Sequence, residues 1–236
     1  MKSPTTSARL TLSIALGIAF LSPCLAQIGA SQPAFEGKIV FKVQTIVQVQ
    51  FYDFLVRDQR IRVDAVDPEE EMPTIIVDHA FKKIFILLPR NEQYVELPDD
   101  IGATSGTHHG ATGLQRTDQR EKIKGYTCDQ FVVKTEGGEV EIWATKGLGT
   151  AGTFRTSATD PLPGESRWQD EILSEGYFPL LTIEKDSDGD EQARFEAVSI
   201  EKESLLESLF RVPTSYEKVD ISVLRSRMGS KRGRNQ

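Results

Sequence analysis

Between Ile39 and Phe51 apolar and polar residues alternate. Ile39, Phe41, Val43, Val47, Val49 and Phe51 take odd positions, and Lys38, Lys42, Gln44, Gln48 and Gln50 take even ones. Successive side chains of an extended chain point to opposite faces, so a period of two predicts a strand with one buried face. At ~3.3 Å per residue it would reach ~43 Å, so it must curve or fold back. No Gly, Pro, Asn or Asp marks a turn inside it.

Shorter apolar runs follow: "RIRVDAV", "TIIVD", "KIFILLP" and "QYVELP", separated by "RDQ", "PEEEMP", "HAFK" and "RNE". Short strands joined by short polar turns predict an antiparallel meander. "DQFVVKT" and "EVEIWAT" flank "EGG", a hairpin signal. "FPLLTIEK" and "EQARFEAVSIEK" read as two further strands. Gly102 to Asp118, "GATSGTHHGATGLQRTD", lacks periodicity and predicts a mobile loop. Two helices are expected. Gly164 to Gly176 has Ser166 as cap, Trp168, Ile172 and Leu173 on one face, and Gly176 as stop. "ESLLESLF", Glu203 to Phe210, is a short one halted before Pro213.

The N-terminus changes the picture of what is being folded. Lys2 and Arg9 precede an apolar run from Leu10 to Leu21, too short for a bilayer core and suited to a signal peptide. Cys24 and Ala26 place small residues at the −3 and −1 positions of a cleavage site, so cleavage after Ala26 is expected. The alternative is a lipoprotein box, Leu21 to Cys24, with Cys24 acylated. The expected division is a signal peptide over 1–26, one domain over 27–220 and a disordered basic tail over 221–236. The expected location is periplasmic or secreted, or lipid-anchored in the alternative.

The formal net charge is −7. Removal of Lys2 and Arg9 makes the remainder more acidic, while Arg225, Arg227, Lys231, Arg232 and Arg234 concentrate positive charge in the tail. An acidic body excludes nucleic acid as a natural partner. The tail is suited to an anionic membrane or polysaccharide. Of two cysteines, Cys24 is lost or acylated, so Cys128 is a free thiol and no disulfide scaffold exists.

Candidate chemistry is sparse. Asp186, Asp188 and Asp190 with Gly189 suggest a calcium loop, but from Asp186 position six is Glu191 and position twelve is Ala197, where such a loop needs Gly and Glu. A hairpin turn is the better reading. "GLGTAG", Gly147 to Gly152, matches a dinucleotide fingerprint, yet two prolines follow where a helix must begin. Adjacent His108 and His109 point apart on an extended chain, and His79 sits in a turn, so no metal site emerges. "GESRW" lacks the second glycine of a nucleophile elbow. Cys128 at a strand start reads as a small buried side chain. Glu69, Glu71, Asp99 and Asp100 read as solvated loop residues. No catalytic set, cofactor or metal is expected.

Four segments together resemble the exported bacterial family of domain of unknown function 4412 (DUF4412): "FEGKIVFKV", "IIVDHAFKKIFILLPRNEQYVEL", "KIKGYTCDQFVVKTEGGEVEIWATKGLG" and "SLFRVPTSYEKVD". The last departs from the family pattern in carrying Ser215 where a glycine is usual. The resemblance spans roughly Phe35 to Asp220. It implies a LolA-like half-barrel: a mainly β (α+β) fold with a strongly curved, incompletely closed antiparallel sheet, a few short helices and an apolar hollow. The expectation is then an exported envelope protein binding an apolar or lipid-like ligand, with Phe41, Val43, Val47, Phe51, Ile84, Ile86 and Leu88 lining the hollow. The plainer reading of those seven residues is that helices such as Gly164–Gly176 fill the hollow and they are core. The alternative function is an envelope interaction or structural module without a small ligand, using exposed sheet edges or the basic tail.

Overall fold

Twelve strands assemble into one sheet in a computed structural model that describes residues 35–66, 72–98, 112–135, 137–148, 168, 171–172 and 174–222. In chain order they are β1 (Gly37–Thr45), β2 (Val49–Arg57), β3 (Arg60–Ala65), β4 (Thr74–Asp78), β5 (Lys83–Leu88), β6 (Gln93–Pro98), β7 (Thr112–Ile123), β8 (Tyr126–Thr135), β9 (Gly138–Lys146), β10 (Tyr177–Asp186), β11 (Glu191–Lys202) and β12 (Glu217–Lys218). Their spatial order is β12-β6-β5-β4-β3-β2-β1-β11-β10-β9-β8-β7. The chain meanders from β1 to β6, restarts at the far edge with β7, and walks back until β11 pairs antiparallel with β1. The result is a large, curved, unclosed and mostly antiparallel sheet, as expected.

The apolar alternation from Ile39 to Phe51 resolves as a hairpin. The Thr45 backbone N–H donates to the Gln48 carbonyl at 2.9 Å. The Thr45 hydroxyl accepts from the Val47 and Gln48 N–H groups at 3.4 and 3.3 Å. A threonine hydroxyl thus makes the turn that no Gly, Pro, Asn or Asp announced. Register pairs Ile39 with Phe54 and Phe41 with Tyr52. The face that β1 fills with odd residues is therefore filled in β2 with even ones.

The meander strands, the β8–β9 hairpin and the β10–β11 hairpin lie where the pattern put them. Asp186 closes the last turn: its carboxylate accepts from the Asp188 and Asp190 N–H groups at 3.0 and 2.9 Å, and Gly189 takes φ +88°. Two expectations need correction. The loop predicted to Asp118 ends sooner, because Thr112 to Asp118 already belong to β7, where Gln115 pairs with Val132 and Arg116 with Phe131. The helix predicted over Glu203–Phe210 shrinks to a 3-10 turn, Glu207–Phe210, because Glu203 to Leu206 are irregular and tied to the β1 and β2 ends. There Glu36 accepts from the Glu203 and Leu205 N–H groups, and Arg57 donates to the Leu205 carbonyl.

Of the other predicted helix, Trp168, Glu171, Ile172 and Ser174 are helical, and Gly176 takes φ +78°, suited to a helix stop. Trp168 and Ile172 pack with Phe131, Val133, Val140, Ile142 and Tyr177. A larger cluster centres on Phe41, Phe54, Phe178 and Phe195, and a small one on Ile86 and Val95. Pro179 sits where β10 shifts register against β9, a bulge that tolerates a missing N–H. Residues 1–34, His108, His109 and the tail from 223 lie outside the described residues. No described helix is long and apolar enough to cross a membrane.

Candidate functional site

Cross-strand register decides which of the seven candidate lining residues share a face. Phe41 and Val43 face the same way as Tyr52, Phe54, Val63 and Ile75, and through Ile75 the same way as Ile84, Ile86 and Leu88. Those five stand on one face, called here the Phe41 face, but in two packings. Phe41 is wholly buried, stacked on Phe195 at 4.2 Å and edge-on to Phe54 at 4.8 Å, with Val43 packed against that cluster. Ile84, Ile86 and Leu88 pack with Val95, Leu97, Val219 and Ile221. Val47 and Phe51 do not join them. Phe51 pairs with Lys42 on the opposite face and is 42% exposed, and Val47 lies in the turn at 82%.

One end of the Phe41 face remains half-buried. A row across the sheet there runs Gln50, Val43, Phe195, Thr182, Ile142 and Phe131. The next row outward runs Thr45, Ala193, Glu184, Val140 and Val133. Burial is graded along both. Phe131, Val133, Val140 and Ile142 are closed over by Trp168 and Ile172, while Gln50, Val43, Thr45, Ala193 and Glu184 are intermediate. Tyr52, one step inward, donates its hydroxyl to Gln50 Oε1 at 2.6 Å, and burial pushes its phenol up. Burial alone also raises the Glu184 carboxyl, which has no hydrogen-bond or ion-pair partner among the described residues.

Other titratable clusters are fully engaged. Asp129 accepts from Arg116 at 2.6 Å, Arg120 at 2.8 Å and Tyr177 at 2.8 Å. Burial opposes its ionisation, yet those partners hold it below the usual carboxylate range. Glu141 accepts from Lys185, Trp143 and Gln130 at 2.7, 2.6 and 3.0 Å, with the same outcome. Cys128 is wholly buried and burial pushes its thiol up to about 11, so it holds little thiolate to act as a nucleophile. His79 lies in the β4–β5 turn, as expected, with its N–H on the Gln59 carbonyl. The open end thus sets the Val43 and Ala193 side chains beside Gln50, Thr45, the Tyr52 phenol and the Glu184 carboxyl.

Sequence reasoning passed over Glu184 and Tyr52. In "LLTIEK" both faces of β10 carry apolar residues, so parity gave no hint of which side Glu184 took. The available signal was a lone acidic residue between apolar ones.

Comparison with known proteins follows the fold. The model of the family "Domain of unknown function (DUF4412)" matches residues 35–216. Among solved structures the chain is similar to PNGF-II, with a TM-score of 0.52 and 16% identity, covering 82% of this chain and 33% of that one. It thus spans about a third of PNGF-II. It is also similar to an uncharacterized conserved protein from Thermus thermophilus (TM-score 0.47, 15% identity, 78% and 91% covered). A domain described as outer membrane lipoprotein-sorting, from Vibrio parahaemolyticus, is similar at TM-score 0.33 and 8% identity, with 74% and 88% covered. No curated protein matches.

Proposed function

This chain belongs to the DUF4412 family, a domain of unknown function, and we propose that it is an exported envelope protein that binds an apolar or lipid-like ligand at the open end of the Phe41 face. The carrying observation is the gradation of burial along that face. Where the core is complete, Phe41, Phe54 and Phe195 fill it with ring-on-ring contacts. Beside Phe195 and in the next row outward, Val43, Thr45, Ala193 and Glu184 stay half-open. A half-buried surface that sets a small number of polar groups beside apolar ones is the usual form of a small-molecule site. Of the expected lining, Val43 reaches this open end, and Phe41 lies in the core behind it. The basic n-region, the apolar run and the Ala26 cleavage signal support export. The buried Cys128 thiol and the fully partnered Asp129 and Glu141 favour binding over catalysis.

Native mass spectrometry of protein purified from its own envelope tests the reading. Co-purifying lipid is the expected result. A bare chain in a stoichiometric protein complex overturns it in favour of a second reading, an envelope interaction module. That reading is favoured by one surface, where Ile46, Val47, Val49, Phe51 and Val66 are exposed around the β1–β2 tip.

A further inference from the structure

We propose that Glu184 selects the head group of the ligand, so that the molecule bound is an apolar chain ending in an ammonium or comparable cationic donor. This rests on the Phe41 face being an apolar ligand site and names the chemistry that site takes. Several half-buried carboxylates elsewhere in the sheet have cations: Asp53 has Lys38, Asp64 has Arg62, Glu141 has Lys185 and Glu96 has Lys83. Among the described residues Glu184 has neither an ion pair nor a side-chain hydrogen bond. Its cross-strand neighbours are Ala193 and Val140, and its neighbours along the strand on the same face are Thr182 and Asp186. The nearby cations take the opposite face, where Lys185 is bound by Glu141 and Arg194 by Glu191. The chain thus places a carboxyl on an apolar face and withholds its counter-ion.

A second unmatched group stands in the cluster that Val140, the cross-strand neighbour of Glu184, joins. Trp168 is 7% exposed, and among the described residues its indole N–H meets no acceptor. Buried polar groups are normally satisfied, and an unmatched one calls for an explanation. The Glu184 carboxyl complements an ammonium head group, with the hydrocarbon running over Val43 and Phe195. A charge-assisted hydrogen bond at Glu184 then forms only with the ligand present.

Three probes of one chain length separate the terms: dodecylammonium, dodecanol and dodecanoate, each below its micelle concentration, titrated into the full chain by calorimetry at pH 7.5. Dodecylammonium should bind roughly tenfold tighter than dodecanol, and dodecanoate weakest. In Glu184→Gln the ammonium should fall to the affinity of the alcohol, and the alcohol should be unmoved. Equal binding of all three to the parent overturns the head-group assignment and leaves the apolar site standing. Retained ammonium preference in Glu184→Gln moves the selecting group elsewhere and also overturns it. If none of the three binds, the apolar-site reading falls, and this inference with it. The ranking in the parent chain depends on no variant, and a thermal melt of Glu184→Gln confirms that it is folded.

Discussion

Glu184 and Glu141 stand on adjacent strands and face opposite sides: Glu184 pairs with Val140, and Glu141 with Ile183. Glu141 is opposed by burial but held below the usual carboxylate range by Lys185, Trp143 and Gln130, whereas burial alone pushes Glu184 up. The linkage sign differs accordingly. A carboxyl raised in the folded state keeps its proton better there than in the unfolded chain, so folding is favoured at low pH and loses ground as pH climbs through the raised value. On its own face Asp186 lies two residues along β10, and Ala193 and Val140 flank it across the sheet. Glu184→Gln should therefore raise the Tm of ligand-free protein at pH 8 by roughly 2–4 °C, the equivalent of ~1 kcal/mol in a chain of this size. The gain should vanish near pH 4, below the unfolded carboxyl range at ~4.3. Melts at the two pH values check this, and an unchanged or lowered Tm at pH 8 refutes it. Cys128 offers a second residue-scale test. With its thiol at about 11, its reaction with a disulfide reagent at pH 8 should be ~100-fold slower in native than in denatured protein. Equal rates would mean that the strand start is open.

Elements are held in register by a few backbone approaches and one strap. At the start of β9, Gly138 has φ +152°, and a Cβ there would lie 2.0 Å from the Lys185 carbonyl oxygen. Backbone cannot yield as a flexible side chain can, so Gly138→Ala should cost about 1–3 kcal/mol, read from denaturant midpoints. A loss under ~0.5 kcal/mol would show that β9 and β10 part freely there. After β11 the chain crosses the ends of β2 and β3, where Arg62 donates to the Leu209 carbonyl at 3.0 Å and Arg60 lies over the Phe210 ring at 5.7 Å. It then pairs as β12 with β6 and packs Val219 and Ile221 on the Ile86 cluster. A chain ending at Tyr216 loses that cover and bares the β6 edge; one ending at Ser222 keeps both. The shorter form should melt lower and aggregate, and matched melting curves would contradict this. Most strands were legible because alternation survives wherever one face is wetter than the other. The β1–β2 turn was not, because a threonine hydroxyl replaced the usual turn residues. Phe51 was misplaced for the same reason: the turn shifts the buried parity from odd to even, while apolar residues continue at odd positions. The site was the least legible, since what places Glu184 in it is cross-strand register, which sets it between Ala193 and Val140.

At the scale of the whole molecule, charge is divided between an acidic domain and a basic end. The domain carries its cations largely in pairs along the sheet, as with Lys38 and Asp53, Lys83 and Glu96, or Lys218 and Glu96. Arg225, Arg227, Lys231, Arg232 and Arg234 follow the last described residue, Ser222, with no acidic residue among them. Each basic residue near an anionic membrane surface contributes up to ~1 kcal/mol, and the sum is screened by salt. A ligand carrier that meets a membrane only transiently would be served by adhesion of this strength. The acidic domain is repelled by the same surface, so electrostatic attraction has to come from the tail. The comparison should be made with a chain ending at Ser222, because ending it at Asp220 would remove Ile221 from the Ile86 cluster and confuse lost adhesion with lost packing. On vesicles containing anionic lipid, the full chain should bind at low salt and release at high salt, and the shortened chain should stay in solution under both conditions. Equal binding of the two chains, or binding indifferent to salt, assigns the contact to the apolar β1–β2 tip instead, where Ile46 and Val47 are exposed.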